Sequence, residues 1–165
     1  MKNKQVLFLT QAALIAALYV VLTFFANSLG LANNAIQIRF SEALTILPFF
    51  TPAAIPGLFV GCLLSNLLTG CMPLDVIFGS LATLLGAFGT YSLRKFKWLA
   101  PVPPIVANTL IVPFILAYVY QFEGSIPYFM LTVGIGEILS CGVLGMILLF
   151  SLQPYRNKIF KYQSY

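Results

Sequence analysis

Six side chains in this apolar sequence are of types that bind a small polar molecule: Arg39, Glu42, Asn66, Asp75, Asn108 and Glu137. A carboxylate accepts two parallel hydrogen bonds from an amidine or guanidine edge such as that of a guanine-like base, and an amide pairs with a ring carbonyl. Two or three carboxylates, one guanidinium and two amides around one cavity would therefore suit a small molecule rich in donors, rather than a bare ion or a lipid. Each residue also has a purely structural role open to it. Arg39 and Glu42, three apart in QIRFSEAL, share a face if the segment is helical and would form a local ion pair, with the arginine snorkelling outward. Asp75, two residues beyond Pro73, would favour a helix N-terminus, and the two asparagines would bond between helices. Glu137 would serve as a protonated group bonded to a neighbouring helix.

The elements that position these groups are spans. Of 165 residues, 60% are hydrophobic and 8% charged, and the mean hydropathy is +0.96. A soluble domain carries roughly a quarter charged residues, so this composition describes an all-α integral membrane protein. Apolar stretches fall at about 5–27, 36–50, 53–70, 74–93, 103–121 and 126–151, which predicts a six-helix bundle filling residues 1–165 as a single membrane-embedded domain. The second stretch is the weakest, because about fifteen residues at 1.5 Å each reach only about 22 Å of a hydrocarbon core near 30 Å. FFTPAAIPG, with Pro52 and Pro56, fits either a turn between two short helices or a kink in one long helix. Charge decides for two. With six spans the N-terminal lysines, the Arg94, Lys95 and Lys97 loop and the Arg156, Lys158 and Lys161 tail share one face, while NSLGLANNA, TGCMP and QFEGS opposite carry no Lys or Arg. Both termini are then cytoplasmic, and Trp98 beside Lys97 is an anchor at the inner interface. The run from Val6 to Ala26 lacks a small-x-small cleavage pattern and reads as a retained first helix.

By depth, Arg39, Glu42, Asn66 and Asp75 fall in the outer leaflet. Glu137 lies roughly 16 Å along the sixth helix, near the bilayer centre, and Asn108 is deeper still. An ionisable group at that depth faces the bundle or a wet cavity and is functional by default. The neighbours Gly134, Gly136, Ser140 and Cys141 leave room beside Glu137. Phe40, Tyr118 and Tyr128 are aromatic candidates for stacking, although tyrosines near helix ends also form interfacial belts. The chain has no histidine, and Cys62, Cys71 and Cys141 show no metal-ligand spacing, so no metal or other cofactor is expected in this chain and the cysteines read as apolar packing. No GxxxxGK[ST] stretch and no activated nucleophile occur, so the chain is not read as an enzyme and its energy must come from a partner or an ion gradient. The net charge of +5 reflects basic loops and tails rather than nucleic-acid binding. No internal repeat is evident. In the first helix, Ala12, Ala13, Ala16 and Ala17 form two overlapping small-xxx-small patterns, which fit either an outside helix or packing within the bundle; Gly57 and Gly61 pose the same choice.

The stretches QIRFSEALTILPFFTPAAIPGLFVGCLLSN, LDVIFGSLATLLGAFGTYSLRK, PVPPIVANTLIV and VGIGEILSCGVLG, in this order, resemble the QueT family. Its members are the membrane substrate-binding (S) components proposed to import queuosine precursors with an energy-coupling factor module. The resemblance implies a six-helix S component of the bacterial cytoplasmic membrane that captures a 7-deazaguanine such as queuine, preQ0 or preQ1 outside. It further implies delivery by toppling on a coupling subunit driven by two ATPase subunits, which use the ATP, with Ala12 to Ala17 as the docking motif. Two other classes remain: a standalone secondary transporter with Glu137 as proton relay, and a structural membrane protein whose polar residues only join helices.

Overall fold

The computed structural model describes residues 2–31 and 38–160, and within them the chain is all-helical. Helix α1 covers Lys2–Ser28, α2 Phe40–Phe49, α3 Ala54–Leu68, α4 Pro73–Ser92 and α5 Val102–Tyr118. Helix α6 is composite: Ile126–Glu137 is α-helical, Ile138–Leu144 is π-helical and Gly145–Leu152 is α-helical again. The stretches Lys4–Ser28, Pro73–Ser92, Lys97–Tyr118 and Ile126–Ile159 are long and apolar enough to cross a membrane, whereas α2 and α3 are shorter.

The expected turn at FFTPAAIPG is present, and α2 and α3 are separate helices. Helix α2 is not the α-helix expected over 36–50. It is a ten-residue 3-10 helix starting at Phe40, and residues 36 and 37 lie outside the described residues. At about 2.0 Å per residue, ten 3-10 residues extend about 20 Å, against about 15 Å for an α-helix of that length. The tighter winding thus lets a short segment reach nearly as deep as fifteen α-helical residues. Pro48, which has no N–H to give, sits within it. Arg39 precedes the helix in extended conformation (φ −110°, ψ 108°), so it does not share a helix face with Glu42; instead the Glu42 N–H donates to the Arg39 carbonyl at 3.1 Å. The fifth helix also stops at Tyr118, three residues short of the expected end, and the following Gln121 has a positive φ of 53°.

Consecutive long elements pack side by side, α1 with α3, α3 with α4, α4 with α5 and α5 with α6, and α2 is inserted against α1, α3, α4 and α6. All of α2 except Phe40 and Ala43 is buried, including Ser41, Glu42 and Thr45. The α1–α3 contact answers the question left by the small residues. A Cβ on Gly57 would stand 2.7 Å from the Ala12 carbonyl oxygen, and one on Gly61 3.0 Å from the Ala16 Cα and 2.8 Å from the Tyr19 Cβ. Ala12 and Ala16 therefore meet Gly57 and Gly61 of the same chain, while Ala13 and Ala17 are exposed. Only 17% of the most apolar window of α1 is buried, and Leu9, Leu14, Val21 and Phe25 lie open on its outer side. Such a face needs an apolar surrounding.

The start of α1, the described residues up to Phe160 and two of the turns gather at one end of the bundle. The Gln11 side chain donates to the Ile159 carbonyl at 3.4 Å, the Phe50 and Phe160 rings stack at 5.3 Å, and Trp98, 68% exposed, meets Phe150 edge-on at 5.4 Å. The basic residues Arg94, Lys95, Lys97, Arg156 and Lys158 belong to this end, as the charge-parity argument requires; Lys161 lies outside the described residues. The close α1–α3 contact predicts that Gly61→Val destabilises the fold by about 1–3 kcal/mol, since the added carbons have no space to enter. Thermal unfolding in detergent checks this, and an unchanged midpoint would show that the two helices separate readily.

Candidate functional site

At the end of the bundle opposite the basic turns, the helices part around a cavity of about 560 Å³, lined among others by Thr23, Arg39, Asn66, Asp75, Tyr120 and Phe129. Beneath it a space of about 20 Å³ is lined by Glu42, Cys62, Gly79, Asn108 and Glu137, and Arg39, Asp75 and Val112 border both. All six polar residues singled out in the sequence thus line one of two adjoining cavities. Five of them are deeply buried, Glu42 at 2%, Asn66 4%, Asn108 4%, Asp75 7% and Glu137 8% exposed, and Arg39 is half-buried.

Glu42 receives side-chain donors from two helices. The Tyr19 hydroxyl of α1 donates to its Oε1, and the Asn108 Nδ2 of α5 reaches its Oε2 at 3.5 Å. A buried carboxylate without such donors would carry a large desolvation cost, so these bonds explain how α2 tolerates it. Glu137, the last residue of the first segment of α6, accepts from the Cys141 thiol at 3.1 Å. The π-helical turn that begins at Ile138 packs against α2, and its Ser140 and Cys141 are both buried there. The Arg39 N–H donates to the Ser140 Oγ at 3.1 Å, and the Thr45 hydroxyl lies 3.3 Å from the Cys141 sulfur. The wound-tight and wound-wide elements therefore meet at the floor of the site.

Asp75 stands in the first turn of α4, behind Pro73, but its carboxylate does not cap that helix. It accepts from the Tyr120 hydroxyl at 2.8 Å, and the same phenol oxygen accepts the Met72 N–H at 3.2 Å. Asn66 lies across from it, with its amide 3.6 Å from the Cys62 sulfur. The aromatic expectations divide. Tyr128 lines the large cavity, Phe40 packs against Phe25 at 5.9 Å, and Tyr118, 69% exposed, stacks on Phe114 away from both cavities. Tyr120, Phe122 and Phe129 supply the aromatic wall instead.

Tyr19, Ser140 and Tyr120 were not among the sequence candidates, and Cys141 was read as packing. A tyrosine at mid-span rather than at a helix end was the available signal for Tyr19, because a buried phenol requires a partner. One oxygen each of Glu42 and Glu137 and the Cys141 sulfur fall within 4.8 Å of one another, a spacing that a divalent ion fits; the Cys141 thiol is bonded to Glu137, and the Glu42 carboxylate to Tyr19 of α1 and Asn108 of α5. Removing the Tyr19 donor is predicted to destabilise the protein by about 1–3 kcal/mol in Tyr19→Phe, since it leaves a buried acceptor short of a partner. The added change Glu42→Gln should recover part of that loss, and a double-mutant cycle on thermal midpoints measures the coupling.

Comparison with known proteins agrees with this architecture at the level of sequence. The chain is similar to the queuosine precursor transporter QueT of Lactococcus lactis subsp. cremoris (strain MG1363), with 36% identity over 98 residues. That match spans 59% of this chain and 57% of the relative, so it covers little more than half the length of either. No solved structure matches the chain. A family model described as QueT transporter matches residues 9–154, which takes in every helix that lines the two cavities. The chain therefore belongs to the QueT transporter family.

Proposed function

We propose that this protein is the substrate-binding component of an energy-coupling factor importer, and that the paired cavities capture a queuosine precursor of the 7-deazaguanine type. One observation carries the reading beyond the family name. The chain has four acidic residues, and all four, Glu42, Asp75, Glu123 and Glu137, line the two adjoining cavities, while Arg39 is the one Lys or Arg that does so among the described residues. In a chain of net charge +5 this distribution reserves negative charge for the cavity. Carboxylates and amides of Glu42, Asn108 and Glu137 suit the paired donors and the carbonyl of a guanine-like edge, and Asn66, Asp75 and Arg39 border the rest of the ligand.

In this reading the apolar helices cross the cytoplasmic membrane, the basic end faces the cytoplasm and the cavity opens outward. No cofactor belongs to this chain. Coupling to a partner subunit and two ATPases would supply ATP energy, and toppling in the membrane would carry the occupied cavity inward as a two-state motion. With Ala12 and Ala16 packed on α3, the exposed Ala13 and Ala17 are the half of the small-residue motif left for the coupling subunit. The excess of carboxylates favours a precursor bearing an aminomethyl cation over its cyano counterpart.

Calorimetric titration of the purified chain in detergent, without sodium, against queuine, preQ1 and preQ0 tests this directly. Saturable binding is expected, tighter for the aminomethyl-bearing bases than for the cyano base, with Glu137→Gln reducing affinity by about a hundredfold or more while the thermal midpoint holds. Absence of binding to all three by folded protein would overturn the substrate assignment. Ala17→Leu should leave binding intact yet abolish uptake in vesicles carrying the complete module, because the side chain blocks close helix approach. Uptake driven by a pH gradient in the chain alone would instead support a proton-coupled transporter.

A further inference from the structure

Gly79 is a glycine without a backbone reason. It lies inside α4 with ordinary helical geometry, where alanine would be the more stabilising residue. The other close-packed helix glycines are explained by neighbours. Gly57 and Gly61 admit α1, while a Cβ on Gly86 would stand 2.7 Å from the Pro104 Cα and one on Gly89 2.4 Å from the Pro103 Cβ. No backbone of a neighbouring helix stands close to Gly79. A Cβ there would meet only the Asn66 Nδ2 and the Asp75 Oδ1, each at 3.2 Å. Both are buried polar tips that border the large cavity, and Gly79 itself lines the inner space with Glu42, Asn108 and Glu137.

We infer that Gly79 is a specificity-determining residue, whose bare backbone forms a slot through which the edge of a flat heteroaromatic ring reaches Glu42, Asn108 and Glu137. The inference rests on the capture function proposed above. The inner space, about 20 Å³, holds one water-sized group and not a ring, so only a ring's edge enters it while the body of the ligand stays in the larger cavity. A planar conjugated ring is thin enough to lie against a helix backbone that carries no Cβ. A methyl group at this position would narrow the slot and press Asn66 and Asp75 aside by a few tenths of an ångström. The displaced atoms are side-chain ends that border the cavity and not helix backbone, so in this inference the site suffers before the fold does.

The test compares wild type, Gly79→Ala and Gly86→Ala in detergent, reading thermal midpoints without ligand and affinities for queuine, preQ1 and preQ0 by calorimetry. One carbon in a tight pocket changes affinity by about tenfold or more. Gly79→Ala is therefore expected to bind about tenfold or more weakly with an unchanged or raised midpoint, whereas Gly86→Ala lowers the midpoint by overpacking. A loss of about fivefold or more with the midpoint kept supports the slot. A smaller loss overturns it, and so does weakened binding accompanied by a midpoint that falls as in Gly86→Ala, which would make Gly79 a packing residue. Wild type that binds while Gly79→Ala binds equally well removes this inference alone; wild type that binds none of the three bases removes the capture function and this inference with it.

Discussion

Burial of the Glu42 carboxylate is the constraint around which the other elements are arranged. At 2% exposure it has no water to rely on, so its donors must come from the protein. They come from α1 through Tyr19 and from α5 through Asn108, two helices that do not follow one another in the chain. Meeting that need fixes the rotation of α1, which in turn presents Ala12 and Ala16 to Gly57 and Gly61. A close backbone contact and a buried hydrogen bond thus use the same face of one helix, Tyr19 lying one turn from Ala16.

The two departures from α-helical winding meet beside this carboxylate. Ten residues wound as a 3-10 helix extend about 20 Å where an α-helix would extend about 15 Å, and the π-helical Ile138–Leu144 turn buries Ser140 and Cys141. The two irregular elements touch each other, joined by the bond from the Arg39 N–H to Ser140. Irregular backbone is tolerated at the depth of an apolar bundle where it is covered by protein or borders a polar cavity, and both conditions hold here.

Long apolar runs and the placement of Lys and Arg made the six helices and their common basic end readable from sequence, because both signals add over many residues. The chemical candidates were readable because six polar residues stand out in so apolar a chain, and all of them line the cavities. Winding was not readable: a period of 3.0 or 4.4 residues cannot be told from 3.6 over ten or seven apolar positions, so α2 was expected as an α-helix and the π turn after Glu137 went unseen. Partner choice was equally hidden. Ala12 and Ala13 are indistinguishable by spacing, and only the rotation imposed by Tyr19 decides which one faces α3. Tyr118 and Tyr120 differ by two positions, and the early end of α5 turns the second inward rather than the first.

The bond between Tyr120 and Asp75 gives the large cavity a property of its own. Tyr120 reaches back from beyond α5 to hold a carboxylate of α4 and to accept a backbone N–H from the turn before it, so a donor group already stands where a solute's donor would go. Engaging Asp75 is then an exchange reaction: one O–H partner leaves, another arrives, and the Met72 amide must find a new acceptor. Free energy from such a swap is the difference between two similar hydrogen bonds, not the whole of one. A donor arriving at this rim would therefore gain little from Asp75 itself, because the carboxylate is already bonded within the protein.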